Sequence, residues 1–200
     1  MTEIDPGAGD MRARILDTAE GLLRRHGLEK LTVVDVARAL NMSHGNVYRH
    51  IPSKAALRAE VVQRWLDRIA DQIEAVARGN GPADARLRQW LLDLAVVKQR
   101  KILDDVEMLA AAATVVKDSP QVEENHSRKL RDQVAHILRD GMEEGTFRIV
   151  PDVQSTAAAI LNATYRYHHP NQVARGGSSK SQLEALEAII SLIIAGLRSA

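Results

Sequence analysis

Two helix-capping signals eleven residues apart constrain the fold of this chain more than any other feature. Thr32 followed by Asp35 has the form of a capping box, and Ser43 can cap a second short helix that ends before Pro52. Between them, Asn41 tolerates the left-handed conformation that a tight turn requires. Two short helices joined by such a turn and braced by a preceding helix form a helix-turn-helix.

Apolar residues recur at helical spacing along the rest of the chain, so we expect an all-α fold. The first helix is expected to begin after Asp10 as its N-cap and to end at Gly27, and a long fourth helix to run from Ser53 to the break at Gly79–Pro82. Further breaks lie at Gly145 and at 176–179. Helices are expected over 11–26, 33–40, 44–51, 54–78, 83–103, 104–116, 121–144, 152–168 and 183–197. The expected division is a flexible leader at 1–10, a helix-turn-helix domain at 11–58 and, joined to it by the long helix, a second helical domain at 59–200.

The distribution of charge indicates a polyanionic partner for the first domain. Between Met11 and Arg58 there are nine basic and four acidic residues, a net charge of +5, while the whole chain carries +1. An α-helix fits the major groove of DNA. The start of the second short helix of the predicted helix-turn-helix would therefore meet the base edges. The hydroxyls and cations beside it suit phosphate oxygens. The candidate DNA-binding residues are Thr32, Ser43, His44, Gly45, Asn46, Tyr48, Arg49, His50 and Lys54.

The stretch TVVDVARALNMSHGNVYRHIPSKAAL closely resembles the N-terminal domain of the TetR/AcrR family of repressors. The positions that match are Thr32, Val36, Ala37, Ser43, Tyr48, Pro52, Ser53, Lys54 and Leu57. Asn41 stands where the family usually has glycine, and Ile51 where it usually has phenylalanine; both changes are mild. The resemblance implies a homodimer on a partly palindromic operator, more often a repressor than an activator, with a C-terminal helical domain that senses a small molecule.

The last helix carries more apolar surface than one packing partner would cover, which indicates a subunit contact. In this interpretation the last two long helices pair with the same two helices of a second chain as a four-helix bundle. The alternative is that the last helix is buried within its own domain. The candidate interface residues are Ala158, Leu161, Leu186, Ile190, Ile193 and Leu197.

Apolar and amphipathic side chains at inward positions of the second domain are candidates for an effector pocket. They are Trp90, Met108, Met142, Asn162, Tyr165 and His168. Ordinary core packing is the alternative for each of them. The set favours an apolar or neutral ligand over a strongly charged one.

Histidines and carboxylates of the second domain suggest a rival hypothesis, a metal site or acid–base machinery. The residues concerned are His126, His136, His168, His169, Glu143, Glu144 and Asp152. The chain has no His-x-x-x-His pair, no Gly-x-Ser-x-Gly elbow and no phosphate-binding glycine loop, so we predict a protein that is not an enzyme and uses no metal or cofactor. A further alternative is a DNA-binding dimer without small-molecule control.

The absence of cysteine excludes disulfides, thiolate metal sites and cysteine nucleophiles, and it fits a reducing compartment such as the cytoplasm. The apolar stretch at 188–197 is well short of the roughly 20 residues that span a bilayer, so no membrane partner is expected.

Overall fold

The structure, a computed structural model, describes residues 6–173 and 175–198. Within these ranges it contains helices and no β-strand, which confirms the predicted all-α class. The helices are α1 (Pro6–His26), α2 (Val33–Ala39), α3 (His44–His50), α4 (Lys54–Ala77), α5 (Ala83–Asp104), α6 (Val106–Asp118), α7 (Pro120–Glu143), α8 (Val153–Thr164), α9 (Pro170–Val173) and α10 (Ser179–Leu197). A single 3-10 turn at Tyr165–Tyr167 follows α8 where the sequence pattern predicts continuous helix to residue 168.

The capping signals of the helix-turn-helix act as predicted. The hydroxyl oxygen of Thr32 accepts the backbone N–H of Asp35 at 3.1 Å, and that of Ser43 accepts the N–H of Asn46 at 3.3 Å. Asn41 has a φ of 52°, in the left-handed region. Local interactions therefore fix where α2 ends and α3 begins.

The first helix starts earlier than the sequence pattern indicates. It begins at Pro6, so Asp10 lies inside the helix and is not its N-cap. Proline suits the first turn because its missing N–H would have no helical partner there. The predicted leader at 1–10 thus overlaps α1, and residues 1–5 lie outside the described ranges.

The first of two compact units comprises the described residues up to Leu66 together with Asp105–Glu124. Helix α1 packs against α2, α3 and α6, and α2 packs against α3. Ile15, Val47 and Ile51 are fully buried at the centre of this unit. The first unit thereby includes α6, which lies within the predicted second domain, and its boundary falls inside α4.

The second unit comprises Asp67–Asp104 and the chain from Asn125 onward. Its core is built around Trp90, whose Nε1 donates to Gln133 Oε1 at 2.8 Å; the Gln133 amide in turn donates to the carbonyl of Ala70 at 3.1 Å. Helix α10 packs against α5 and α8. None of the helices in the described ranges combines the length and apolarity needed to cross a membrane.

Candidate nucleic-acid interface

The start of α3 is exposed while its opposite side is anchored. His44 and Gly45 are exposed and Asn46 is half-buried, whereas Val47 is fully buried. A Cβ at Gly45 would meet no atom within 4 Å, so the space in front of this residue is open. The three residues predicted to meet base edges are therefore available to a partner.

The side chains predicted to meet phosphates differ in their exposure to solvent. Ser43, Tyr48, Arg49 and Lys54 are exposed. Thr32 is half-buried, and its hydroxyl donates to Asp35 Oδ2 at 2.5 Å as well as capping α2. The role that the structure supports for Thr32 is thus to hold the start of α2.

Arg12 of α1 is a positioning residue that sequence reasoning missed. Its Nη1 donates to the backbone carbonyl of His50 at 2.5 Å, and its Nη2 contacts Glu60 Oε2 at 2.6 Å. The carbonyl groups in the last turn of a helix lack helical partners, so Arg12 satisfies one of them at the end of α3 and links α1, α3 and α4. In the sequence it is one of nine basic residues, and no spacing rule distinguishes it.

Some basic side chains of the first unit interact with groups of that unit, and others form no ion pair within the described ranges. Arg58 donates to the carbonyl of Leu28 at 2.7 Å, and Arg24 contacts Glu20 at 2.9 Å. Other basic side chains are exposed and form no ion pair with any described residue: Arg14, Arg25, Lys30, Arg49 and Lys54. This surplus of unpaired positive charge favours a polyanionic partner.

The six residues predicted to line an effector pocket do not lie together at one site. Trp90 is buried and already hydrogen-bonded, and Met108 is buried in the first unit, not in the second unit with the others. Asn162 and Tyr165 are exposed because α8 turns Ala157, Ile160 and Leu161 inward. Met142 and His168 are partly buried. The prediction that all six face inward is therefore wrong for Asn162 and Tyr165.

The face of α10 predicted to contact a second chain belongs to the core of its own unit. Leu186, Ile190 and Leu197 are buried there, and so is Leu161 of α8. Ala158 and Ile193 are half-buried. These side chains stabilise the protomer because α5 and α8 cover this side of α10, whereas its other side, with Leu192, is exposed.

The acidic residues and histidines of the rival hypothesis do not form one cluster, although Glu144 and His136 are joined through Arg86 and Asp140. Asp152 caps α8 by accepting the N–H of Gln154 at 2.9 Å, and Glu144 contacts Arg86 at 3.3 Å. His136 approaches Asp140 at 3.7 Å. No group of three potential ligands placed to hold a metal ion occurs among the described residues.

Two family models match the chain. The model described as bacterial regulatory proteins of the tetR family matches residues 15–61, and the model described as the tetracyclin repressor-like C-terminal domain matches residues 83–190. The first match covers the helix-turn-helix, and the second covers more than half of the chain.

Curated relatives match over most of both chains. The HTH-type transcriptional repressor KstR2 of Mycolicibacterium smegmatis is 24% identical over 165 residues, 80% of this chain and 80% of the relative. The HTH-type transcriptional regulator UidR of Escherichia coli is 23% identical over 171 residues, 82% of this chain and 83% of the relative.

Solved structures share the fold. A TetR-family regulator from Mesorhizobium loti aligns with a TM-score of 0.74 at 16% identity, covering 98% of this chain and 100% of that one. A transcriptional regulator from Saccharomonospora viridis, solved in complex with choline, aligns with a TM-score of 0.62 at 20% identity, covering 96% and 100%. With both halves matched by its family models, the chain belongs to the TetR family of transcriptional regulators.

Proposed function

We propose that this TetR-family protein is a cytoplasmic repressor that binds a partly palindromic operator as a homodimer, and that a small molecule bound in its second unit changes its affinity for DNA. The observation that carries the proposal is the exposed start of α3, held in place by caps and a buried anchor. Repressor function is supported by relatives such as KstR2, which are named as repressors. Ligand control is supported by the choline complex of a regulator with the same fold.

The start of α3 suits sequence reading in the major groove. Asn46 can form two hydrogen bonds with adenine, and Gly45 allows the helix backbone to approach the bases closely. Tyr48, Arg49 and Lys54 contact phosphates and set the orientation of α3 without selecting sequence.

We expect Lys54→Ala to weaken binding to every DNA sequence by a similar factor. Loss of one phosphate contact releases about one counterion fewer, so the slope of log affinity against log salt becomes shallower by about 0.9. Titrations of operator and random DNA at several salt concentrations measure both quantities. Lys180→Ala, which removes an exposed cation of α10, is the control and should leave the slope unchanged. A wild-type slope for Lys54→Ala would exclude this residue as a phosphate contact.

We expect Asn46→Ala to relax selectivity at one base pair of each half-site. A lost bidentate contact with adenine reduces discrimination there by ~1–3 kcal/mol, while other positions keep their preferences. Binding to a set of operators with every single substitution measures this profile. An equal loss of affinity for all of these operators would assign Asn46 to the backbone-contacting residues instead.

The dimer interface is proposed on the outward faces of α8 and α10. The exposed residues there are Ser155, Ala159, Asn162 and Ala163 of α8, and Ala185, Ala188, Ser191, Leu192, Ala195 and Gly196 of α10. Most are small, so two helices can pack closely, and Leu192 adds an exposed apolar side chain. Because α8 packs against α10, the two faces can act together in a four-helix contact. Binding in successive major grooves requires the two copies of α3 to lie about 34–36 Å apart, which calls for a dimer.

Selection of binding sites from random DNA by the purified full chain, with the mass of the complex measured in parallel, tests the proposal. We expect an inverted repeat occupied by two chains. Weak binding that is equal on all sequences would overturn the proposed function. If the protein binds its operator but no small molecule changes the affinity, the alternative holds: a DNA-binding dimer without ligand control.

A further inference from the structure

A partly buried lysine of the second unit lacks a carboxylate partner. Lys98 lies on α5, and its Nζ is 2.8 Å from His126 Nε2 on α7. Among the described residues no aspartate or glutamate forms an ion pair with it. The positive charge of Lys98 is therefore not balanced within this unit.

The contrast with Lys129 of the same unit shows what is missing at Lys98. Lys129 Nζ lies 2.5 Å from Asp71 and 3.8 Å from Asp67. Although burial opposes it, the pKa of Lys129 is raised by these two carboxylates. At Lys98 no carboxylate of the described residues opposes the effect of burial, which lowers the pKa of Lys98 to about 8. An oxyanion beside Lys98 would supply the missing partner.

The neighbouring imidazole of His168 contributes no negative charge. Burial, and next the positive charge of Lys98, lower the pKa of His168 to about 4, so this side chain is neutral near pH 7. Its Nε2 lies 3.2 Å from the carbonyl of Leu161, and the ring of Tyr165 meets it edge-on at 6.0 Å. The imidazoles of His126 and His168 thus supply no negative charge to Lys98.

On each of the two helices, one of the side chains a turn away is a leucine. Leu94 precedes Lys98 by four residues on α5, and Leu130 follows His126 by four residues on α7, so each lies on the same face as its polar neighbour. Both leucines are buried. Lys98 itself keeps partial exposure, which leaves it accessible to a ligand.

We propose that Lys98, oriented by His126, binds the oxyanion head group, a carboxylate or a phosphate ester, of an effector that has an apolar body. The ammonium donates both to the oxyanion and to the Nε2 of His126, which accepts. This inference rests on the proposed ligand control and names the chemical class of the ligand. It replaces the sequence-based expectation of an apolar or neutral effector.

Titration of the full chain with octanoate, octyl phosphate and octanol, followed by calorimetry, tests the proposal. We expect at least one of the two anions to bind at least about tenfold more tightly than octanol, since a charge-assisted contact exceeds a neutral one by this order. Which anion binds more tightly distinguishes carboxylate from phosphate effectors. Equal affinities for all three probes, or no binding of either anion at millimolar concentration, would overturn the proposal.

Substitutions at Lys98 test whether this residue causes the preference for anions. Lys98→Gln should lose the preference for anions, Lys98→Arg should keep it, and the surface control Lys180→Gln should behave as wild type. Lys98→Gln removes an unbalanced, partly buried charge, so its thermal stability should equal or exceed that of the wild type. A retained preference for anions in this variant would overturn the assignment.

The pH dependence gives a second readout. The titratable groups facing Lys98 are His126 and His168, with His169 beside His168. Because Lys98 loses its proton around a pKa of about 8, octanoate affinity should fall about tenfold between pH 7 and pH 9. In Lys98→Arg the charge persists and the affinity should stay constant. A constant affinity in the wild type would contradict the proposal.

Failure of this inference is distinguishable from failure of the proposed function. Lys98→Gln without any probe should bind operator DNA as the wild type does, because the variant changes no residue of the DNA interface. Operator binding without a preference for anions would refute the anion site alone. Absence of operator binding in the wild type would refute the proposed function and leave the calorimetric result valid.

Discussion

We expect Leu192→Asp to give a folded monomer that no longer holds operator DNA, and Ile190→Asp to fail to fold. The two residues lie two positions apart on α10 and differ in burial: Leu192 is 74% exposed and Ile190 is fully buried. A carboxylate at position 190 would lie in the core without a partner, which costs several kcal/mol out of a total stability of about 5–15 kcal/mol. At position 192 the same carboxylate stays in water in the monomer and meets its own copy across the proposed interface.

Sedimentation, circular dichroism and operator titration of both variants measure these outcomes. The matched control is Glu184→Asp, a charge-conserving change at another exposed position of α10. A Leu192→Asp protein that sediments as a dimer would exclude this face as the interface. A folded Ile190→Asp protein would contradict the assignment of Ile190 to the core.

The sequence predicted the helix-turn-helix well because its determinants are local. The hydroxyls of Thr32 and Ser43 each cap a helix through a group three residues away, and Asn41 sets the turn by its own conformation. Such short-range signals can be recognised in the sequence without knowledge of the tertiary packing.

The sequence could not assign the faces of the later helices because these depend on distant contacts. Helix α10 is apolar over much of its circumference, and only its packing against α5 and α8 determines that Leu186 and Ile190 face inward. Met108 belongs to the first unit because α6 packs against α1, far from it in sequence. Periodicity identifies an apolar face and does not identify its partner.

The candidate anion site could not be predicted for the same reason. Lys98 and His126 are 28 residues apart and belong to no recognisable motif. Lys98 appears in the sequence as an ordinary polar residue of a helix, and His126 as a candidate only for a metal site or acid–base machinery. The unbalanced charge becomes visible only when both side chains and the apolar neighbours are placed together.

Asp105→Ala lowers the free energy of unfolding by about 2–4 kcal/mol, because it removes the acceptor shared by two helices of the first unit. The Asp105 side chain is 5% exposed; it accepts the indole N–H of Trp65 at 3.1 Å and forms an ion pair with Arg24. The variant leaves the buried indole N–H of α4 without its acceptor. Arg24 retains Glu20 as a partner at 2.9 Å, so most of the loss arises at Trp65.

Denaturant unfolding of Asp105→Ala against Asp104→Ala separates this interaction from a loss of helix capping. Asp105 precedes α6 at the N-cap position, yet its side chain makes no capping hydrogen bond, so no cap is lost. Its neighbour Asp104 is exposed, and its replacement should cost less than about 0.5 kcal/mol. Trp65→Phe removes the donor together with its need for an acceptor and should cost less than Asp105→Ala, since an unsatisfied buried group costs more than a deleted pair. Equal stability of the Asp104 and Asp105 variants would show that the buried carboxylate does not join α1, α4 and α6.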